Sequence, residues 1–213
     1  QVGYVADGIF KSQEEIDNHA TQEGAGLGRI RWKDLTGDGK ITEADQTWIY
    51  NPVPDFTYGF NIYLEYKNFD FTAFFQGVQG VDIISDLKKE TDIWAGLNIG
   101  FLNKGKRLLD AWSTTNPDSN VPALSLSDNN NEKRVSSYWV ENGSYLKLRT
   151  IQFGYNFPQT IASKLAMQRL RMYVSAQNLF TIKSSSFTGV DPENPNYGYP
   201  IPLNITFGLN VTF

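Results

Sequence analysis

The sequence contains no cysteine and only one histidine, His19, among its 213 residues. The absence of cysteine excludes a disulfide framework, a thiolate metal site and a cysteine nucleophile. A serine–histidine–aspartate triad would have to use His19, which lies in a polar segment without a catalytic motif, so we expect a solvated surface histidine. Phosphate-cradling loops and nucleophile elbows are missing as well. We therefore expect that the chain is not an enzyme.

Long apolar runs are also missing. No run reaches about 18 apolar residues, which excludes a transmembrane helix but not transmembrane strands, because residues in such strands alternate in polarity. The net charge is −4 and the basic residues are scattered, so the composition does not support a nucleic-acid partner. Gln1 is not followed by the charged and apolar segments of a signal peptide. We expect either a mature chain or a piece of a longer one.

Aromatic residues, by contrast, are abundant, and many of them alternate with polar residues. In the C-terminal segment LNITFGLNVTF every odd-numbered position is apolar and every even-numbered position is small or polar. A period of two residues predicts a β-strand with one apolar face. The same pattern predicts five strands in all, at residues 57–66, 69–77, 144–157, 169–180 and 203–213.

The lengths of the predicted strands and of their connections favour a membrane barrel. A strand of about nine to eleven residues crosses a bilayer at a tilt, whereas soluble strands average about five or six. The connections are short at 67–68 and 158–168 but long at 78–143 and 181–202. If Phe213 ends in the periplasm, both long loops lie outside the cell, as in outer-membrane barrels.

We therefore predict an all-β fold. Residues 57–213 would form about five long antiparallel strands, the C-terminal segment of a large transmembrane β-barrel, and residues 1–56 would form an extracellular loop region. Five strands cannot close a barrel, and an open edge in lipid costs several kcal/mol per unpaired backbone group, so more strands are required. The alternative is a soluble calcium-containing β-sandwich that binds glycans.

The two faces of the predicted strands differ as a barrel requires. Polar side chains suited to a wet lumen occupy one face, namely Asn61, Glu65, Thr72, Gln76, Gln152, Arg171, Ser175 and Gln177. The first half of the third strand departs from this pattern, because Lys147 and Arg149 fall on its otherwise apolar face. We expect that part of the apolar face to be in contact with water.

Several separate segments resemble one family, in the family's own order. They are GYVADGIF, KDLTGDGKITEADQTWIYNPVPDFTYGFNIYLEYKNFDFTAFFQG, SSYWVENGSYLKLRTIQFGYNFP, RMYVSAQNLFTI, DPE and GLNVTF. Together they closely resemble the C-terminal part of SusC/RagA-type TonB-dependent outer-membrane transporters, and only the loop at 80–135 is unspecific.

The resemblance implies a large barrel of about twenty-two strands with an N-terminal plug. It implies a multi-pass outer-membrane protein that imports oligosaccharides or peptides with energy delivered by TonB. The implied partners are a SusD-like surface lipoprotein that acts as a lid, the remaining barrel and plug, and TonB itself. Phe213 resembles the C-terminal signal that directs barrel assembly. No plug or TonB-contacting segment is present in this sequence, so we do not expect transport by this chain alone.

Residues 34–45, DLTGDGKITEAD, match a calcium loop of the EF-hand or dockerin type. Oxygen ligands would come from Asp34, Thr36, Asp38, the Lys40 carbonyl, Thr42 and Asp45. The third position is threonine and the last is aspartate, shorter than the usual glutamate. A turn without a metal is the alternative. We predict a structural calcium ion that orders an extracellular loop.

Aromatic residues of the outer loops are the candidate ligand or lid contacts, and these are Trp94, Trp112, Trp139, Tyr197 and Tyr199. Exposed rings could stack on sugar rings or peptide side chains, and packing within the loops is the alternative. Asp191 and Glu193 have the composition of a glycosidase carboxylate pair. They lie in a proline-flanked turn, which explains them without catalysis.

Overall fold

The computed structural model describes residues 1–92, 104–125, 128–195 and 199–213. The strands are β1 (Val2–Tyr4), β2 (Ala6–Ile9), β3 (Ile30–Trp32), β4 (Gln46–Trp48), β5 (Phe56–Tyr66), β6 (Phe69–Gln79), β7 (Asp82–Ile84), β8 (Val140–Asn142), β9 (Tyr145–Asn156), β10 (Arg169–Lys183) and β11 (Asn204–Thr212). The α-helices are α1 (Gln13–Asp17), α2 (Asp86–Asp92) and α3 (Gln159–Ala162). In the described ranges no helix has the length and hydropathy needed to cross a membrane.

The chain divides into two compact units. The first is built mainly from residues 1–52 and the described part of 82–141, and the second from 53–81, 142–194 and 199–213. The second unit contains all five long strands in one antiparallel sheet, in the order β11–β10–β9–β6–β5. The predicted five-stranded antiparallel arrangement is therefore confirmed. β6 and β10 run two and three residues further than their predicted ends at 77 and 180 because their ladders continue.

One face of the sheet is apolar and exposed. Ring and aliphatic side chains on this face keep a large part of their surface accessible, among them Phe60 (45%), Leu64 (60%), Phe153 (47%), Met172 (49%), Phe207 (82%) and Leu209 (62%). Leaving one such side chain in water instead of burying it forgoes about 1.5–3 kcal/mol. A contiguous surface of this kind marks an interaction with membrane or protein. A β-sandwich would bury it against a second sheet.

A β-bulge on β9 places Lys147 on the opposite face of the sheet from the one predicted. Thr150 pairs with Phe74 and Leu148 pairs with Phe75, so the intervening Arg149 is an extra residue relative to β6. The extra residue shifts the alternation by one position, as β-bulges do. Lys147 and Arg149 therefore lie on the polar face and Leu148 on the apolar face. The prediction of a wet patch on the apolar face was wrong.

β10 accommodates the same irregularity. Its register with β9 shifts between Gln177 and Phe180, and Asn178 adopts a left-handed backbone conformation with φ of 56°. Asparagine tolerates this conformation better than most residues. Because two residues of β10 lie opposite one of β9, Phe180 returns to the apolar face, where its ring meets Phe75 edge-on at a centroid distance of 6.5 Å.

The first unit has its own small core. Ile9, Ile30 and Trp32, from the paired strands β2 and β3, are buried together. The segment predicted as a loop region contains four short strands and a helix. Ser12 caps α1, because its hydroxyl accepts the Glu15 amide at 3.2 Å.

Side chains form hydrogen bonds with the backbone amide and carbonyl groups along the outer edge of β3. The Ile30 amide donates to Glu132 Oε1 at 2.9 Å, and the Ile30 carbonyl accepts from Gln22 Nε2 and Asn130 Nδ2 at 2.8 and 2.9 Å. The Trp32 amide donates to Gln22 Oε1 at 2.9 Å. These contacts replace a neighbouring strand and prevent edge-to-edge pairing. Asn130 and Glu132 thereby give their part of the long loop at 78–143 a defined structural role.

Candidate functional site: the polar face of the sheet

The polar positions predicted from alternation lie on one face of the sheet. Thr72 pairs with Gln152, Gln152 with Ser175, and Gln76 with Lys147. The strand register thus brings polar side chains from β6, β9 and β10 into a continuous band opposite the exposed apolar face. Such a sheet separates an aqueous environment from an apolar one.

An ion pair crosses this face from β6 to β10, over β9. Arg171 Nε donates to Asp70 Oδ2 at 2.9 Å, and a second guanidinium nitrogen donates to Asp70 Oδ1 at 2.5 Å. Asn156 adds a donor to the same carboxylate at 3.1 Å. A Cβ atom on Gly154 would lie 2.4 Å from the Arg171 guanidinium and 2.5 Å from Asp70. Glycine is therefore required at position 154 for the two charged side chains to meet.

A second group of charges surrounds Lys147, whose side chain is fully buried. Lys147 Nζ lies 2.7 Å from Asp191 Oδ2 and 2.6 Å from Glu193 Oε2. The Tyr145 hydroxyl donates to Glu193 Oε1 at 2.5 Å, and Arg149 donates to the same oxygen. We call these five residues the Lys147 cluster. Two cations and two carboxylates make it electrically neutral.

The cluster determines the ionisation of Glu193. Burial by itself raises the pKa of this carboxyl, but hydrogen bonds from Lys147, Tyr145 and Arg149 outweigh burial and lower the pKa to about 2. Glu193 is therefore ionised at neutral pH and cannot act as a general acid. The apparent Asp191/Glu193 carboxylate pair is an ion-pairing turn, as the proline-flanked sequence indicated.

The loop that follows β10 is folded onto the polar face through this turn. Asp191 Oδ1 accepts the Glu193 amide and the Asp191 carbonyl accepts the Asn194 amide, both at 3.0 Å. We call Asp191–Asn194 the DPEN turn. Phe187, on the same loop, is buried, and Lys183 Nζ lies 5.1 Å from the centroid of its ring.

The predicted aromatic contacts that the structure describes differ in their burial. Trp139 is 1% exposed and its indole nitrogen donates to the Arg134 carbonyl at 3.2 Å. It packs within the loops, so its prediction as a ligand contact was wrong. Trp112 is half-buried against the first unit's core, whereas Tyr199 is 94% exposed. Trp94 and Tyr197 lie outside the described residues. Trp48 was not among the predicted contacts and is 76% exposed.

Hydrogen bonds close the predicted calcium loop. Buried Asp45 accepts the amides of Leu35 (2.9 Å) and Thr36 (3.0 Å) at Oδ1 and of Thr42 (2.7 Å) at Oδ2. Burial raises the pKa of Asp45, but these bonds outweigh it and hold the pKa well below its usual range.

Asp34 accepts the amides of Gly37 and Gly39 at 2.6 and 2.9 Å, and Asp38 accepts that of Lys40 at 2.9 Å. Among the described residues, no three acidic or histidine side chains are arranged to hold a metal ion. Asp45 serves as a hydrogen-bond acceptor and does not fit as a ligand in this arrangement. The calcium ion stays a prediction.

His19 is half-buried and packs edge-on against Phe10 with a centroid distance of 5.1 Å, so the expectation of a solvated histidine was wrong. Phe213 follows the end of β11 and is 77% exposed. Its role as an assembly signal stays a prediction.

No protein-family model matches the chain. The chain is 36% identical to TonB-dependent receptor P3 of Formosa agariphila over 99% of its own length, and 28% identical to TonB-dependent receptor SusC of Bacteroides thetaiotaomicron over 100%. A solved structure of the RagAB peptide transporter superimposes on the whole chain with a TM-score of 0.76 and 25% identity.

The chain spans only part of these proteins, namely 22% of the P3 receptor, 20% of SusC and 22% of the matching RagAB chain. The five-stranded sheet, with its polar band and exposed apolar face, matches such a segment. The chain therefore belongs to the SusC/RagA type of TonB-dependent outer-membrane transporters, as a segment of the barrel wall.

Proposed function

We propose that the chain forms part of an importer that moves oligosaccharides or peptides across the outer membrane with energy delivered by TonB. The similarity to SusC and to the RagAB peptide transporter supports this function. The observation that carries it is the two-sided sheet, because its exposed apolar face suits lipid and its charged face suits a water-filled lumen.

We further propose that a SusD-like surface lipoprotein is the partner, and that the first unit faces the outside of the cell. The first unit is inserted before β5 and between β6 and β9. Because β5, β6 and β9 are antiparallel neighbours, the start of β5, the end of β6 and the start of β9 lie at the same end of the sheet. The short connections, Lys67–Asn68 and 157–168, lie at the opposite end of the sheet, as the periplasmic turns of a barrel do.

Uptake by cells of the source organism tests the import function. Isotope-labelled oligosaccharides and peptides would be supplied to wild-type cells, to cells without the full-length transporter gene, and to complemented cells. We expect uptake of one substrate class to be lost with the gene, restored by complementation and abolished by a protonophore. Uptake of both classes that is unchanged without the gene would contradict the proposal.

Co-purification tests the partner. Full-length transporter extracted in mild detergent should retain a surface lipoprotein in stoichiometric amount. Trp48→Ala is a useful variant in this experiment because the Trp48 side chain is 76% exposed. Its removal should leave the fold intact, so that a change in lipoprotein binding would not result from unfolding. A transporter purified without any such lipoprotein would contradict the proposed partner.

A further inference from the structure

The bulge at Arg149 gives β9 an unusual set of inward-facing donors. An unbroken strand would place Tyr145 and Lys147 on the apolar face, given the positions of Ile151 and Phe153. With the bulge, Tyr145, Lys147 and Arg149 all lie on the polar face, and all three donate to Glu193. One irregularity in the strand therefore creates the whole binding site for the DPEN turn.

The contacts of the turn are those of a permanent attachment. Lys147 is 0% exposed, and a buried cation that loses its partner is strongly destabilising. Both of its carboxylate partners come from the turn, while its neighbours across the sheet, Gln76 and Thr181, carry no charge. If the turn left the wall, Lys147 would lose both of its ion-pair partners.

The attached loop has further inward contacts. Phe187 is 4% exposed, and Lys183, the last residue of β10, donates a hydrogen bond to the Gly189 carbonyl of the loop. Val190, directly before the turn, remains 68% exposed. The loop therefore has one side fixed to the polar face of the sheet and another side directed away from it.

We propose that the Lys147 cluster fastens the DPEN turn to the inner face of the barrel wall, so that residues 184–194 form a fixed ledge that narrows the lumen. Lys147 is a positioning residue in this arrangement, since it acts through the loop. The inference rests on the barrel and not on the identity of the imported substrate.

Spin labelling of the full-length transporter in lipid bilayers tests this proposal. These 213 residues contain no cysteine, so Val190→Cys introduces a single labelling position within them. We expect the label to be less mobile in the otherwise unchanged protein than after Lys147→Met. Arg171→Met is the matched control, because it breaks a separate ion pair of the same face and should leave the spectrum unchanged.

Two results would overturn the proposal: an unchanged spectrum after Lys147→Met, or equal mobilisation by Arg171→Met. If Lys147→Met prevents barrel assembly, Glu193→Gln replaces it. This variant removes one carboxylate and weakens three hydrogen bonds, and it should also mobilise the label. The spectra do not depend on uptake, so a failure here is distinguishable from a failure of the proposed import function.

Discussion

The glycine beneath the Asp70–Arg171 pair offers a quantitative test of how the barrel wall is stabilised. In Gly154→Ala, the new methyl group would lie 2.4 Å from the Arg171 guanidinium and 2.5 Å from Asp70. Real contacts of this kind exceed 3 Å, so the charged side chains must separate. Separating them breaks a largely buried contact, because their side chains are only 12% and 9% exposed.

The expected cost follows from the interactions that are lost. Each hydrogen bond to a charged group contributes about 1.5–3 kcal/mol, and breaking a buried pair costs about 3–5 kcal/mol. The pair faces a wet lumen, which screens part of this interaction. We therefore expect Gly154→Ala to lower the free energy of unfolding by about 2–4 kcal/mol. Urea unfolding of the full-length barrel in lipid vesicles, followed by tryptophan fluorescence, would measure the loss.

A double-mutant cycle shows whether the methyl group acts through the ion pair. In a background with Asp70→Ala and Arg171→Ala, the same glycine substitution should cost less than about 0.5 kcal/mol. Gly26→Ala is the control glycine, because its nearest contact would be an ordinary 3.5 Å. An equal loss from Gly154→Ala in both backgrounds would refute the reasoning, since the cost would then come from the backbone.

Further predictions concern the outer loops. If residues 34–45 bind calcium, a chelator should raise the rate at which this loop is proteolysed, and added calcium should restore protection. A rate that does not change with the chelator would contradict the predicted calcium site. Asp45→Asn should increase cleavage of the same loop with or without calcium, because Asp45 closes it by hydrogen bonds. The pKa of Asp45 is depressed, so its stabilisation is present above pH 4 or so and is lost as the pH falls through the folded-state pKa. Proteolysis across acidic pH would check this, and cleavage that falls on acidification would contradict it. Trp139→Ala should lower the free energy of unfolding of the first unit by about 3–5 kcal/mol, whereas Trp48→Ala should change it by less than about 0.5 kcal/mol. Equal effects of the two would contradict the assigned burial.

The sequence predicted the wall of the barrel well because alternation has a fixed period. In β5 and β11 each apolar residue directly indicates a face, and no irregularity interrupts the count. The bulge in β9 was missed because one extra residue has no separate sequence signature. Its indirect signal was Lys147 on an apolar face, since a buried charge without a partner costs more than a local shift of register.

The loops were harder to predict because their contacts connect distant residues. Glu132 and Ile30 are hydrogen-bonded although about a hundred residues separate them, and the sequence gives no periodicity for such a contact. The burial of Trp139 was missed for the same reason. An aromatic residue in an irregular segment can face solvent or a core, and only the folded neighbours decide which.

The most direct test of the central claim is the environment of alternate residues along β11. Single cysteines would be introduced from 204 to 212 in the full-length transporter, spin-labelled, and reconstituted in lipid bilayers. Collision rates with oxygen, which concentrates in lipid, and with a water-soluble nickel complex would then be measured. Membership of the barrel wall predicts oxygen accessibility at positions such as Phe207 and Leu209, and nickel accessibility at Thr206 and Asn210. Equal nickel accessibility at all positions would contradict a strand that separates lipid from a lumen.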